Sequence, residues 1–211
     1  MPFSRPAGDT GEADPGVAAA LAAYARGTGS EHDALQAVAG ARLLVPVVAV
    51  LTEVTQAGTE KDSEMALPTL IGGDGRKALI AFTGTETLSR WRADARPVPV
   101  PARLVWEAAL SEAADAVVID VAGPVPLAVE GARLRALERN QPPPLPHEDP
   151  DIHAEVAAVT DRFTLKPAEQ DTDLLVILET ADAARARDMA EQIAIRLRPR
   201  LRRGIEVRTS R

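Results

Sequence analysis

The residues best equipped for chemistry form one run, Arg196-Leu197-Arg198-Pro199-Arg200-Leu201-Arg202-Arg203. A guanidinium group stays protonated at any ordinary pH and presents its N–H donors as a planar fork that fits carboxylates and phosphates. That chemistry is binding rather than proton transfer. Positive charge in the last turn of a helix is already favoured by the helix dipole, by about 0.3–1 kcal/mol. Five arginines exceed what such a helix end needs, so Arg196, Arg198, Arg200, Arg202 and Arg203 are the candidate partner-binding residues. No aromatic residue is interleaved among them, which argues against stacking on single-stranded nucleic acid.

Other clusters yield less. His147-Glu148-Asp149-Pro150-Asp151-Ile152-His153 gathers metal-ligand types, but a metal site needs rigid geometry and oriented outer partners that a proline-rich stretch does not supply. A solvated helix start with Asp151 near the cap is expected there, and no metal is assigned. Gly72-Gly73-Asp74-Gly75-Arg76-Lys77 lacks the Gly-Lys-Ser/Thr ending of a phosphate loop and reads as a hairpin turn. Thr83-Gly84-Thr85 could hold an anion at a helix N-terminus. The capping-box spacing of Thr83 and Glu86 favours a plain cap. The chain has no cysteine and three histidines, none beside a plausible nucleophile, and His32 is expected to face solvent. With no Gly-x-Ser-x-Gly and no cofactor fingerprint, the sequence supports no catalytic residue, no cofactor and no enzyme.

Charge is divided unevenly. The 211 residues carry a net −7, yet residues 185–211 hold nine arginines against Asp188, Glu191 and Glu206. An acidic chain repels polyanions, so DNA is excluded as a partner while a local basic patch still acts at short range. No window approaches the roughly 20 apolar residues of a membrane span. The composition is 45% hydrophobic and 3% aromatic, which implies an aliphatic core. Trp91 and Trp106 are expected to anchor it.

These residues must be positioned by an α+β fold. Residues 1–15 read as a disordered lead. Residues 16–139 read as a mixed-sheet domain with flanking helices over 17–24, 34–39, 102–113 and 130–139. Leu43–Leu51 reads as a strand with Pro46 at an edge or bulge, and Glu53–Glu64 as a mobile loop. The centrepiece is a hairpin over 67–82 turning at Gly72–Gly75, followed by a helix from Thr83. Pro97–Pro101 is extended, Leu104, Ala108 and Leu110 share a helix face, and 115–121 is a strand. Residues 140–150 contain the stiff Gln141–Pro146 linker, taken as the domain boundary. Residues 151–211 form a smaller α+β module: a helix from Pro150, a strand over 173–179, a helix over 182–198 ended by Pro199, and a closing strand over 204–208. Leu197 and Leu201 are expected to face its sheet.

Several motifs together resemble the SseB-like family, named for enhanced serine sensitivity. They are Leu44-Val45-Pro46-Val47, Leu67-Pro68 with Gly73-Asp74-Gly75, Ala81-Phe82-Thr83, then Leu88 and Trp91, and Val117-Val118-Ile119-Asp120 with Gly123-Pro124. Residues 17–138 fit the family's N-terminal domain, and 150–209 resemble its C-terminal domain more loosely. Asp120 stands where relatives carry asparagine. The resemblance implies a bacterial cytoplasmic protein, and translation genes neighbouring those of relatives imply a ribosome-associated partner. The resulting expectation is a non-catalytic adaptor that binds a protein partner, with no DNA and no membrane involved. The rival reading is an enzyme or small-ligand binder with a pocket at the Phe82–Thr85 junction. A third is self-association through the sheet edge of the C-terminal module.

Overall fold

The computed structural model describes residues 9–47, 68–168 and 171–210. The expected loop over 53–64 and the last part of the first strand lie outside the described residues. In chain order the elements are α1 (Pro15–Ala25), α2 (Glu31–Ala39), β1 (Arg42–Val47), β2 (Thr69–Ile71), β3 (Lys77–Ala81), α3 (Thr85–Trp91), β4 (Arg96–Pro101) and α4 (Ala102–Ser111). There follow β5 (Ala116–Ile119), β6 (Leu127–Glu130), α5 (Gly131–Glu138), α6 (Pro150–Ala157), β7 (Phe163–Lys166), β8 (Leu174–Glu179), α7 (Ala183–Leu197) and β9 (Ile205–Ser210). The fold is α+β. It divides into two compact units, one of Met1–Asp14 with Ala41–Val129, the other of Pro15–Gly40 with Glu130–Arg211.

In the first unit the hairpin forms as its sequence predicts. β2 and β3 pair antiparallel, and the Gly72 and Arg76 backbones close the turn at 2.8 Å. Gly75 takes φ +82°, a left-handed conformation that favours glycine. β5 then adds in parallel to β3, and the sheet order is β2-β3-β5-β6. β1 and β4 form a separate antiparallel pair with Pro46 opposite Pro97 and Leu44 opposite Pro99. Leu44 spends both its backbone groups on Phe82, at 2.7 and 2.8 Å, and therefore turns them away from β4. By the alternation of an antiparallel ladder, Pro97, Pro99 and Pro101 turn their nitrogens to the outer edge of β4. An edge without N–H donors at every second residue cannot template a further strand.

The core of this unit gathers Leu44, Ile80, Phe82, Leu88 and Ala95, with the Trp91 ring 5.6 Å from that of Phe82. On α4 the buried face is Ala102, Val105, Trp106 and Ala109, not the expected stripe of Leu104, Ala108 and Leu110. Trp106 decides this: the bulkiest side chain of the helix is 1% exposed and turns Leu110 outward. Residues Asp9–Asp14, part of the segment expected to be a disordered lead, are fixed by Arg42. Its guanidinium pairs with Asp9 at 3.2 Å and donates to the carbonyls of Glu12 and, at 3.0 Å, Thr83.

In the second unit α2 opens with the predicted capping box, Ser30 and Asp33 satisfying each other's backbone N–H groups. β8 pairs antiparallel with β7 and parallel with β9, and α7 is the crossover helix between them. Leu174, Val176 and Leu178 of β8 pack with Ile152, Val156, Met189, Ile193, Leu197 and Leu201 in one cluster, so both leucines face inward as expected. β7 carries only four residues, Phe-Thr-Leu-Lys, too short a run to stand out in the sequence. The proline stretch does not separate the units. Gln141 N–H donates to the Ala136 carbonyl at 2.9 Å, Pro143 is buried, and the helices on both sides belong to the same unit.

Candidate functional site

α7 begins under Asp182, whose carboxylate accepts from the Ala184 and Arg185 N–H groups at 2.9 and 3.1 Å. Its apolar positions Ala186, Met189, Ile193 and Leu197 turn to the sheet, so the arginines after them project around the helix end. The structure gives the five candidates different tasks. Arg196 reaches Glu155 on α6 at 3.0 Å, with both side chains about half exposed. Arg203 lies against Asp173, which also accepts the Arg203 backbone N–H at 2.9 Å. Arg200 turns inward.

Arg200 binds Glu31 of α2 at 3.2 Å and Asp149, the N-cap of α6. Glu31 pairs in turn with Arg133 of α5 at 2.5 Å. Side-chain exposures of 7% for Glu31, 1% for Asp149 and 2% for Arg133 leave this chain of charges almost dry. Burial pushes the Glu31 carboxyl above its usual range, against the opposing pull of Arg133 and Arg200. Burial also acts to lower Arg200, but the Glu31 and Asp149 carboxylates outweigh it and hold the guanidinium more firmly protonated. Residues 31, 133, 149 and 200 are thus tied together within one unit, across the prolines.

Arg202 and Arg198 face outward. The Arg202 guanidinium sits 4.6 Å over the Tyr24 ring of α1, while the Tyr24 hydroxyl donates to the Pro199 carbonyl at 3.1 Å. Burial, joined by the negative charge of Glu31, pushes the Tyr24 phenol upward. Arg198 and Arg202 line a recess of about 330 Å³ together with Arg26, Ala25, Gly27 and Pro199. Gly27 has φ +68°, and a Cβ there would come within 3.3 Å of the Arg202 carbonyl oxygen, so glycine is needed for the two segments to meet. Among the described residues neither Arg26 nor Arg198 forms an ion pair. Arg26 is the component that sequence reasoning missed, because nothing in the chain couples a lone arginine after α1 to a run some 170 positions later.

The Phe82–Thr85 junction of the other unit is organised by Asp120. Its carboxylate accepts from the Thr83 N–H at 2.9 Å, the Thr83 hydroxyl at 2.7 Å and the Thr87 hydroxyl at 2.5 Å. The expected Thr83–Glu86 capping box is therefore absent. Gly84 is the N-cap of α3 without a side-chain bond, and Thr83 is drawn to Asp120 instead. The Thr85 N–H donates to the Gly11 carbonyl at 2.8 Å, so that donor of the helix start is also taken. Asp120 has φ +52°, where aspartate and asparagine are tolerated better than most residues.

The histidine-rich stretch is distributed among local roles. Asp149 caps α6, Asp151 accepts the Ala132 N–H at 2.7 Å, and the His153 ring lies 4.7 Å from that of Phe163. Among the described residues no three histidine or acidic side chains gather as metal ligands. His32 is half-buried, with one ring nitrogen 2.8 Å from the Gln36 amide.

The family description SseB protein N-terminal domain matches residues 17–136. The chain belongs to the SseB family. No curated protein and no solved structure matches it. In this SseB-family chain the matched segment contains Tyr24, Arg26, Glu31 and Arg133, whereas Asp149 and Arg198–Arg203 lie beyond it. The recess and the ion network are therefore built jointly from the family domain and the segment that follows. Among the described residues no helix is long and apolar enough to cross a membrane.

Proposed function

We propose that this SseB-family protein is a non-catalytic binding protein of the bacterial cytoplasm, holding an acidic segment of a protein partner at Arg26, Arg198 and Arg202. The observation that carries the reading is the recess lined by three arginines, two of them without an ion pair among the described residues. Guanidinium groups left together without carboxylates repel one another, and an incoming acid relieves that repulsion. Arg202 is already held on Tyr24, which lowers the ordering cost of binding. Arg196 and Arg203 flank this helix end in pairs with Glu155 and Asp173, and Arg200 anchors it from within. A ribosome-associated protein is the partner class that the family resemblance favours.

Affinity purification with the wild type and with an Arg26→Gln/Arg198→Gln variant tests this. Each substitution is at an exposed position and should change stability by no more than ~0.5 kcal/mol. A protein retained by the wild type at low salt should be released at high salt, because exposed charges are screened, and should be lost from the variant. Identical recovery by both forms overturns the reading.

A further inference from the structure

We infer that the group seated between Arg26, Arg198 and Arg202 is a phosphate monoester on a partner's serine or threonine, with an apolar residue beside it. This rests on the acidic-segment reading above and names its chemistry. Three guanidinium forks offer more N–H groups than the two oxygens of one carboxylate can accept, whereas a phosphate monoester brings three outer oxygens and about −1.5 to −2 charge. The chain carries a net −7, so anions are not drawn from afar, and binding must come from dense contact at short range.

A second recess adjoins this one. About 260 Å³ in volume, it shares Arg198 and Arg202 with the first; Ala194 and Ile205 give it aliphatic surface beside Arg203 and Gly204, while Leu197 and Leu201 lie behind, buried in the core. The two arginines thus stand between an arginine-rich recess and one with more aliphatic surface. A phosphorylated residue followed by an aliphatic one fits that pair; a bare phosphate leaves the second recess unused. Nucleic acid fits poorly, because Tyr24 is 3% exposed and its ring is covered by Arg202, leaving no face for a base.

The test uses the full chain and fluorescently labelled ten-residue peptides in anisotropy titrations. The peptides carry phosphoserine-leucine, glutamate-leucine, serine-leucine or phosphoserine-serine at their centre, and inorganic phosphate serves as competitor. The phosphoserine-leucine peptide should bind about tenfold tighter than the glutamate peptide, as expected from the extra charge-assisted bonds. Arg26→Gln/Arg198→Gln should remove that advantage, and the serine neighbour should weaken binding several-fold. Equal affinity for the glutamate peptide overturns the phosphate assignment and leaves the acidic-segment reading standing. Displacement by inorganic phosphate at matching concentration assigns the site to small phosphates and overturns the peptide. Tight phosphopeptide binding alongside unchanged partner recovery by the double variant would instead overturn the acidic-segment reading.

Discussion

Asp120 and Asp149 are both sealed from solvent, at 4% and 1% exposure, and each keeps its carboxylate satisfied by a different means. Asp120 is held by a backbone N–H and two threonine hydroxyls, from the junction after β3 and the first turn of α3. Asp149 caps its own helix and binds Arg200, which also holds Glu31. The first arrangement uses neutral donors that remain comfortable alone. The second uses a cation whose removal leaves Asp149 without a counter-charge and Glu31 with Arg133 alone. Neutral donors therefore organise a local turn, while charges join residues 31, 133, 149 and 200 across most of the chain.

The largest effect should come from breaking the charged arrangement. Arg200→Ala should destabilise the protein by roughly 3–5 kcal/mol, since removing one partner leaves buried charge uncompensated. Urea unfolding of wild type and variant measures this, with Arg198→Gln as the exposed control on the same segment. A loss below about 1 kcal/mol would mean that water reaches Glu31 and Asp149 and screens their charge.

Breaking the neutral arrangement should cost less, and should depend on what replaces the acid. Asp120→Ala removes the acceptor of the buried Thr83 N–H and places alanine at φ +52°, a loss of roughly 2–4 kcal/mol. Asp120→Asn should cost under about 1 kcal/mol. Its carbonyl oxygen still accepts from the Thr83 N–H and the Thr87 hydroxyl, and its amide donates to the Thr83 oxygen, a hydroxyl able to reverse its role. Thermal unfolding of the two variants checks the order, and a large loss in Asp120→Asn would show that the negative charge itself is needed.

The same contrast explains what the sequence made legible. The hairpin, the Ser30 cap, the stripe of α7 and the inward Leu197 and Leu201 depend on neighbours within a few positions, and periodicity or turn chemistry exposes them. The Thr83 cap was misread because the competing acceptor, Asp120, lies 37 positions away. Arg200 looked like its outward neighbours Arg198 and Arg202, because a run of arginines carries no mark of which one finds buried acids. Position 120 did carry a signal: aspartate or asparagine before a Gly-Pro turn fits a left-handed backbone, which only the fold connects to Thr83 and Thr87.

Asp173 stands between the two arrangements and gives the smallest, most selective test. One of its oxygens accepts the Arg203 N–H at 2.9 Å, while the Arg203 guanidinium stays 3.9 Å from the other, which has no hydrogen bond among the described residues. Burial pushes this carboxyl above its ordinary value of 3.8, and the hydrogen bond and charge of Arg203 only partly oppose it. The folded chain consequently holds this proton more tightly than the unfolded chain does. The stabilisation linked to protonation is complete below the unfolded value and is lost as pH rises through the higher folded value. Asp173→Asn removes that titration, so the stability difference between variant and wild type should change between pH 7 and pH 4, with the wild type gaining relative to the variant as pH falls. Urea midpoints across that range measure it. A difference that stays constant, or that moves in favour of the variant as pH falls, would show that Arg203 outweighs the burial of Asp173.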